Sequence, residues 1–227
     1  VLASQRLGFC LLKTGKTAGT SIEGVIQVAV QRKFGDFGAT PSERQDEIRS
    51  PELFVAARAG GSKQPDGLNA HATVQDFLNC SYGAGRREWS FWAMVRNPWD
   101  KMISSFYWRS HRRGVPIADL TGTDLRKEFL AFVRDFRRMP VEDDIVGRPE
   151  IGVNVMRFED LEGGLLEFGR AFDLDAGFLS HQCKQVHWKS EIRPSYDDWF
   201  SKFYTRESSE IVEAKYRDWI EAFGYAC

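Results

Sequence analysis

The chain has 227 residues, of which 42% are hydrophobic, so it can bury one large core and nothing in it indicates a second. Its formal net charge of −1 excludes a broadly basic nucleic-acid binder. No apolar stretch approaches the roughly 20 residues that span a bilayer, so no membrane segment is expected. We therefore predict a single domain over residues 1–227.

Strand-like and helix-like stretches alternate along the chain, with no internal repeat. This alternation predicts an α/β fold, namely a P-loop-like domain with a mostly parallel central sheet and helices on both faces. Ligands of such sheets bind beyond the carboxyl ends of the strands. The predicted strands are residues 7–13, 89–95 and 152–158, and a short element lies at 53–57 within a long loop, 34–69. The predicted helices are residues 20–33, 72–79, 98–112, 124–138, 161–171 and 207–223, with 114–123 a loop and 177–203 irregular or shortly helical.

The first predicted strand runs into a loop of small and hydroxyl residues, Lys16-Thr17-Ala18-Gly19-Thr20-Ser21, and a helical pattern follows at once. A strand, such a loop and a helix N-terminus together favour binding of a phosphate. Gly15-Lys16-Thr17 is similar to the end of a Walker A loop, which requires a glycine at position 10. Position 10 is Cys10, so the loop has a different register.

Four blocks in order resemble the sulfotransferases that use 3′-phosphoadenosine 5′-phosphosulfate (PAPS), and most closely their carbohydrate-type branch. They are Lys16 to Ser21, which is similar to that branch's K-T-[GA]-G-T-S loop, the R-N-P block within 91–107, residues 155–161 and the tail 216–225. The family commonly has a proline before the loop lysine. Gly15 stands there in this chain, which predicts a looser approach to Lys16.

The resemblance implies a role for each matching position. Lys16 would stabilise the leaving group, and Thr17, Ala18, Gly19, Thr20 and Ser21 would bind the 5′-phosphosulfate; helix capping by Thr20 or Ser21 is the structural alternative. Arg96 and Ser104 would bind the 3′-phosphate, although Arg96 read without the resemblance is a strand-end ion pair. Lys189 or Arg193, in a late loop, would reach the same phosphate. PAPS would be the donor and adenosine 3′,5′-bisphosphate (PAP) the product, without a metal.

Transfer to a hydroxyl also calls for a general base. His71 is the best candidate, because it precedes a short predicted helix in a segment that resembles the family's histidine segment and because histidine accepts a proton near neutral pH. Asp76 is a candidate to orient it, although five residues along a helix is not the same face. Glu23 and Glu159 are weaker rival bases, and Glu23 is equally compatible with a capping role.

We therefore expect a sulfotransferase that acts on an acceptor hydroxyl, most simply on a glycan. Two alternatives stay open: a P-loop kinase or nucleotide triphosphatase, and a non-catalytic nucleotide- or glycan-binding module of the same fold. Four widely spaced cysteines without a C-x-x-C pair favour a reducing cytoplasm. The alternative location is that of a lumenal catalytic domain cut from a membrane anchor. The sequence does not specify the oligomeric state.

Overall fold

The computed structural model describes residues 1–36, 38, 40–41, 52–56, 68–86, 88–115, 117, 120–186 and 198–227. Contacts between residues divide the chain into two compact units, Val1–Val95 with Met139–Trp188 and Arg96–Arg138 with Lys189–Cys227. The strands are β1 (Leu2–Ser4), β2 (Phe9–Leu12), β3 (Phe54–Val55), β4 (Ser90–Val95) and β5 (Asn154–Arg157). The helices of the first unit are α1 (Gly19–Lys33), α2 (Val74–Asn79), α3 (Ser81–Ala84), α6 (Pro140–Gly147), α7 (Leu161–Phe172) and α8 (Ala176–Gln185). Those of the second unit are α4 (Pro98–Arg113), α5 (Gly122–Asp135), α9 (Trp199–Phe203), α10 (Arg206–Lys215) and α11 (Arg217–Phe223).

The first unit contains a five-stranded sheet in the order β3-β1-β2-β4-β5. β4 runs parallel to both β2 and β5, whereas β1 runs antiparallel to β2 and β3. The fold is therefore α/β as predicted, but the prediction of a mostly parallel sheet was wrong, because the sheet is mixed.

A tight turn explains this error. The predicted strand 7–13 contains β2, whereas β1 was not predicted. The chain reverses between Ser4 and Phe9, with Gly8 in the left-handed region at φ 79°. The N–H of Gly8 donates to the carbonyl of Ser4 at 2.8 Å and closes the turn. Glycine adopts this conformation without steric cost. The reversal adds β1 beside β2 as an antiparallel neighbour.

Alternate side chains of the strands face opposite sides of the sheet, and helices of the first unit pack on both. On one side, the ring of Phe168 from α7 lies 5.0 Å from that of Phe9 and 5.1 Å from that of Trp92. On the other side, Phe91 contacts Phe77 of α2, with ring centroids 6.2 Å apart. Each such buried side chain contributes about 1.5–3 kcal/mol. This packing fixes the carboxyl end of β2, where the candidate phosphate loop begins.

The second unit is helical over its described residues. Its aromatic core surrounds Phe129 of α5, whose ring lies 5.4 Å from Phe106 and 4.9 Å from Tyr204. The predicted closing helix 207–223 is two helices, because α10 ends at Lys215 and α11 begins at Arg217, with Tyr216 between them. In the first unit, the sequence failed to predict α6, which is only eight residues long and follows closely after α5 in the sequence. No helix of the described residues is both long enough and apolar enough to cross a membrane.

Candidate anion-binding and catalytic site

The loop between β2 and α1 has an unusual backbone. Lys16 and Ala18 both lie in the left-handed region, at φ 60° and 57°, and Thr17 between them does not. For residues other than glycine this conformation costs roughly 1–2 kcal/mol each, and such strain concentrates at functional sites. Alternation of left- and right-handed residues turns successive N–H groups toward one side and forms an anion-binding concavity. The backbone of the loop is therefore compatible with an anion site, and anion binding by the loop stays a prediction.

Helix α1 begins inside this loop. Its N-cap residue is Ala18, which has no polar side chain, and no hydrogen bond from a side chain caps the helix among the described residues. Thr20 and Ser21 lie in the first turn, so neither is the N-cap residue that the alternative interpretation required. The first turn carries no acidic residue. The positive end of the helix dipole at such a helix start favours an anion.

Hydrogen bonds of two threonine hydroxyls connect the loop to the sheet. The Thr14 hydroxyl donates to the carbonyl of Met94 in β4 at 2.5 Å. The hydroxyl of Thr17 lies 3.0 Å from that of Thr14, and both side chains are buried. The hydroxyl of Thr17 is thus engaged within the protein. A contribution of Thr17 to phosphate binding would come from its main-chain N–H.

Gly15 is held on the other side by the short helix α6. Its N–H donates to Oε1 of Glu142 at 3.3 Å, and Glu142 is fully buried. A Cβ at position 15 would lie 2.8 Å from the Met139 methyl carbon, so only glycine fits without displacing Met139. The sequence predicted a loose approach to Lys16. The structure does not test that looseness, but it shows that residue 15 makes a hydrogen bond through a main-chain N–H that proline lacks.

A buried ion pair supports the start of the loop. The ammonium of Lys13 contacts a carboxylate oxygen of Glu23 from α1, and both side chains are almost completely buried. The stem of Lys13 also packs on Gly19, where a Cβ would lie 3.1 Å from Lys13 Cγ. Burial and ion pairing make Glu23 a structural residue in this arrangement and a poor rival base. No feature of the sequence indicated this role for Lys13, which was only the last residue of the predicted strand 7–13.

His71 lies against the start of the same loop. The Nδ1 atom of the His71 ring is 2.7 Å from the main-chain oxygen of Lys13. The main-chain N–H of His71 donates to Oδ1 of Asn69 at 2.7 Å. A carbonyl oxygen only accepts hydrogen bonds, so Nδ1 carries the proton and Nε2 holds the lone pair of the neutral ring. Burial lowers the pKa of His71, the Lys13 ammonium lowers it further, and the hydrogen bond opposes both. His71 therefore has the tautomer and charge state that a general base requires.

Asp76, the candidate to orient His71, and Glu159, a rival base, have different surroundings. Asp76 accepts from the Thr73 N–H at 3.0 Å, while the Asp76 N–H donates to the Thr73 hydroxyl at 3.0 Å. This capping box starts α2, so the carbonyl of Lys13 orients His71 and Asp76 does not. Glu159 is exposed in a turn of 3-10 helix that follows β5.

Arg96 and Ser104 belong to the second unit. Arg96 is the first residue after β4 and is buried, and its Nε donates to Oδ2 of Asp100 at 2.7 Å. Arg96 therefore forms an ion pair with Asp100, which is the alternative to phosphate binding that the sequence offered. Ser104 is half-buried in α4. Asp100 and Ser104 are spaced by four within α4, which places them on one side of that helix, and Arg96 precedes the helix.

The last two predicted site residues are not among those that the structure describes. Lys189 and Arg193 lie outside the described residues. Within the described part of the chain, no group of three or more His, Cys, Asp or Glu side chains is arranged to hold a metal ion.

Comparisons of the chain with protein-family models, with curated proteins and with solved structures found no match.

Proposed function

We propose that this protein is a P-loop-like sulfotransferase that moves a sulfuryl group from PAPS to an acceptor hydroxyl, with a carbohydrate as the acceptor class. One observation supports the proposal most directly: Nδ1 of His71 donates a hydrogen bond to the main-chain oxygen of Lys13, three residues before Lys16. A loop that only binds a nucleotide has no need of that ring.

Two sets of residues bind the donor in this assignment. The main-chain N–H groups of the loop and the ammonium of Lys16 bind the 5′-phosphosulfate, for which the backbone at Lys16 and Ala18 is the supporting observation. Arg96 and Ser104 bind the 3′-phosphate, an assignment that rests on the resemblance of the block that contains them. A guanidinium suits this role because its planar donors match phosphate oxygens.

The reaction follows from these assignments. Nε2 of His71 takes the proton of the acceptor hydroxyl while that oxygen bonds to sulfur. The bond between sulfur and the bridging oxygen of the phosphosulfate breaks, and PAP leaves with the electron pair. Lys16 stabilises the charge that develops on the bridging oxygen, as cations do in phosphoryl transfer. Histidine is the residue that accepts a proton near neutral pH without a large change in pKa.

A transfer assay tests this proposal. The protein is incubated with sulfur-labelled PAPS and a panel of neutral sugars, acidic glycans, lipid alcohols and tyrosine peptides, and both PAP and labelled product are measured. We expect one PAP for each sulfated product, and sugars among the best acceptors. Transfer from Mg·ATP in place of PAPS would overturn the proposal in favour of a kinase. Tight PAP binding with no turnover on any acceptor would overturn it in favour of a binding module.

A further inference from the structure

Helix α6 lies against both parts of the candidate site in the first unit. Glu142 is its third residue, and Oε1 of Glu142 accepts from the N–H of Gly15 at 3.3 Å, directly before Lys16. Asp144 lies two residues further along, and its Oδ2 accepts from the N–H of Val74 at 2.8 Å. Val74 is the first residue of α2, the helix that follows His71. One short helix therefore makes a hydrogen bond to each of two segments that are distant in sequence.

Both bonds lie where they restrict motion. Glu142 is completely buried, and its other oxygen accepts from the N–H of Met139 at 3.5 Å, so the carboxylate also closes the first turn of α6. The side chain of Asp144 is 12% exposed, and its second oxygen faces Arg148 at 3.5 Å. A carboxylate held on both oxygens keeps its position, and a charge-assisted bond to a main-chain N–H is about twice as strong as a neutral one.

We propose that α6 is a positioning helix, in which Glu142 fixes the phosphate loop and Asp144 fixes the segment that carries His71. The two residues together set the distance between the bound donor and the base. This inference rests on the proposed function for its catalytic meaning, but not for its structural content. Glu142 and Asp144 touch neither donor nor acceptor in this role, so they are positioning residues.

Hydrogen exchange of single amides tests the structural content without any ligand. Glu142→Ala should make the Gly15 amide exchange about tenfold faster and leave Val74 unchanged, whereas Asp144→Ala should do the reverse. Glu142→Gln and Asp144→Asn keep an acceptor oxygen and should restore most of the protection. Asp143→Ala, an exposed neighbour on the same helix, is the matched control and should leave both amides unchanged. Unaltered exchange at Gly15 in Glu142→Ala, or at Val74 in Asp144→Ala, would overturn the proposal.

Kinetics test the catalytic meaning by separating donor binding from turnover. Glu142→Ala should weaken PAP binding, because the loop loses its anchor. Asp144→Ala should leave PAP affinity within about twofold and lower kcat roughly 10–100-fold, because the base is misplaced while the loop is intact. If Asp144 only stabilised the fold, Asp144→Ala would lower PAP affinity and kcat together, and Asp144→Asn would not restore kcat. Either result would overturn the positioning role. A wild-type protein that ignores PAP would count against the proposed function, and exchange would still decide whether α6 holds both segments.

Discussion

Nδ1 of His71 lies 2.7 Å from the main-chain oxygen of Lys13, three residues before Lys16. This bond joins a segment near residue 70 to the end of β2, and it fixes which ring nitrogen holds the proton. The side chain of Lys13 meanwhile contacts Glu23 in α1. A single residue thus connects the strand, the helix behind the loop and the candidate base.

Removal of the His71 ring should abolish turnover but not donor binding. We expect His71→Ala to lower kcat by about 10²–10⁴-fold, the usual contribution of a general base, with the Kd for PAP within about threefold of wild type. His181→Ala, a substitution at an exposed histidine of α8, is the control and should behave as wild type. Steady-state kinetics together with calorimetry measure both quantities. A His71→Ala enzyme with wild-type kcat would exclude His71 as the base.

The pKa of His71 should set the acid limb of the activity profile. Because burial lowers this pKa, the ring stays neutral below the ordinary value of about 6.5, and kcat should begin to fall only at lower pH. The unfolded chain takes up the proton first, so this group lowers the free energy of unfolding as the pH falls below about 6.5 and has no effect above it. Titration of the His71 ring by NMR measures the pKa directly. A midpoint at or above 6.5 would contradict the prediction.

The buried pair of Lys13 and Glu23 should matter for stability. Glu23→Ala leaves a buried ammonium without this carboxylate and should lower the free energy of unfolding by about 3–5 kcal/mol. Replacement of both residues by apolar ones of similar size, as in Lys13→Met with Glu23→Leu, should recover most of that loss. Urea unfolding measures all three proteins. If the double variant is as unstable as Glu23→Ala, the loss does not come from a stranded charge.

The left-handed backbone at Ala18 should respond to the size of its side chain. Ala18→Gly should leave stability unchanged or raise it by up to about 1 kcal/mol, because glycine accepts φ 57° without strain. Ala18→Val should lower stability by more than about 1 kcal/mol and weaken PAP binding, because a β-branched residue resists this conformation. Thermal unfolding and PAP titration measure the pair. Equal behaviour of the glycine and valine variants would show that the loop conformation is not constrained at this residue.

The sequence predicted most of the elements around the site for definite reasons. A run of apolar residues before small and hydroxyl residues marked β2, the loop and α1, and Pro98 marked the start of α4. The N–H of Trp99 donates to the Asn97 side chain at 3.0 Å, as expected of an N-cap followed by proline at the first helical position.

Other features depend on tertiary contacts that no local pattern records. The predicted strand 7–13 contains β2, but β1 was not predicted, because residues 2–4 become a strand only by pairing with β2 and β3 across the turn at Gly8. The roles of Lys13, Glu142 and Asp144 come from partners between 10 and 127 residues away. Periodicity reports which side chains are buried, but it does not report which main-chain group a buried carboxylate contacts.

Calorimetric titration with PAP tests the central claim most directly, with Mg·ATP titrated in parallel. We predict tight PAP binding that Lys16→Ala and Arg96→Ala each weaken by at least about 1.4 kcal/mol, which is tenfold in Kd. Lys33→Ala, a substitution at the far end of α1, is the control and should bind PAP as wild type does. Binding of Mg·ATP together with indifference to PAP would contradict the assignment of the loop to a phosphosulfate donor and return it to the nucleotide triphosphatases and kinases.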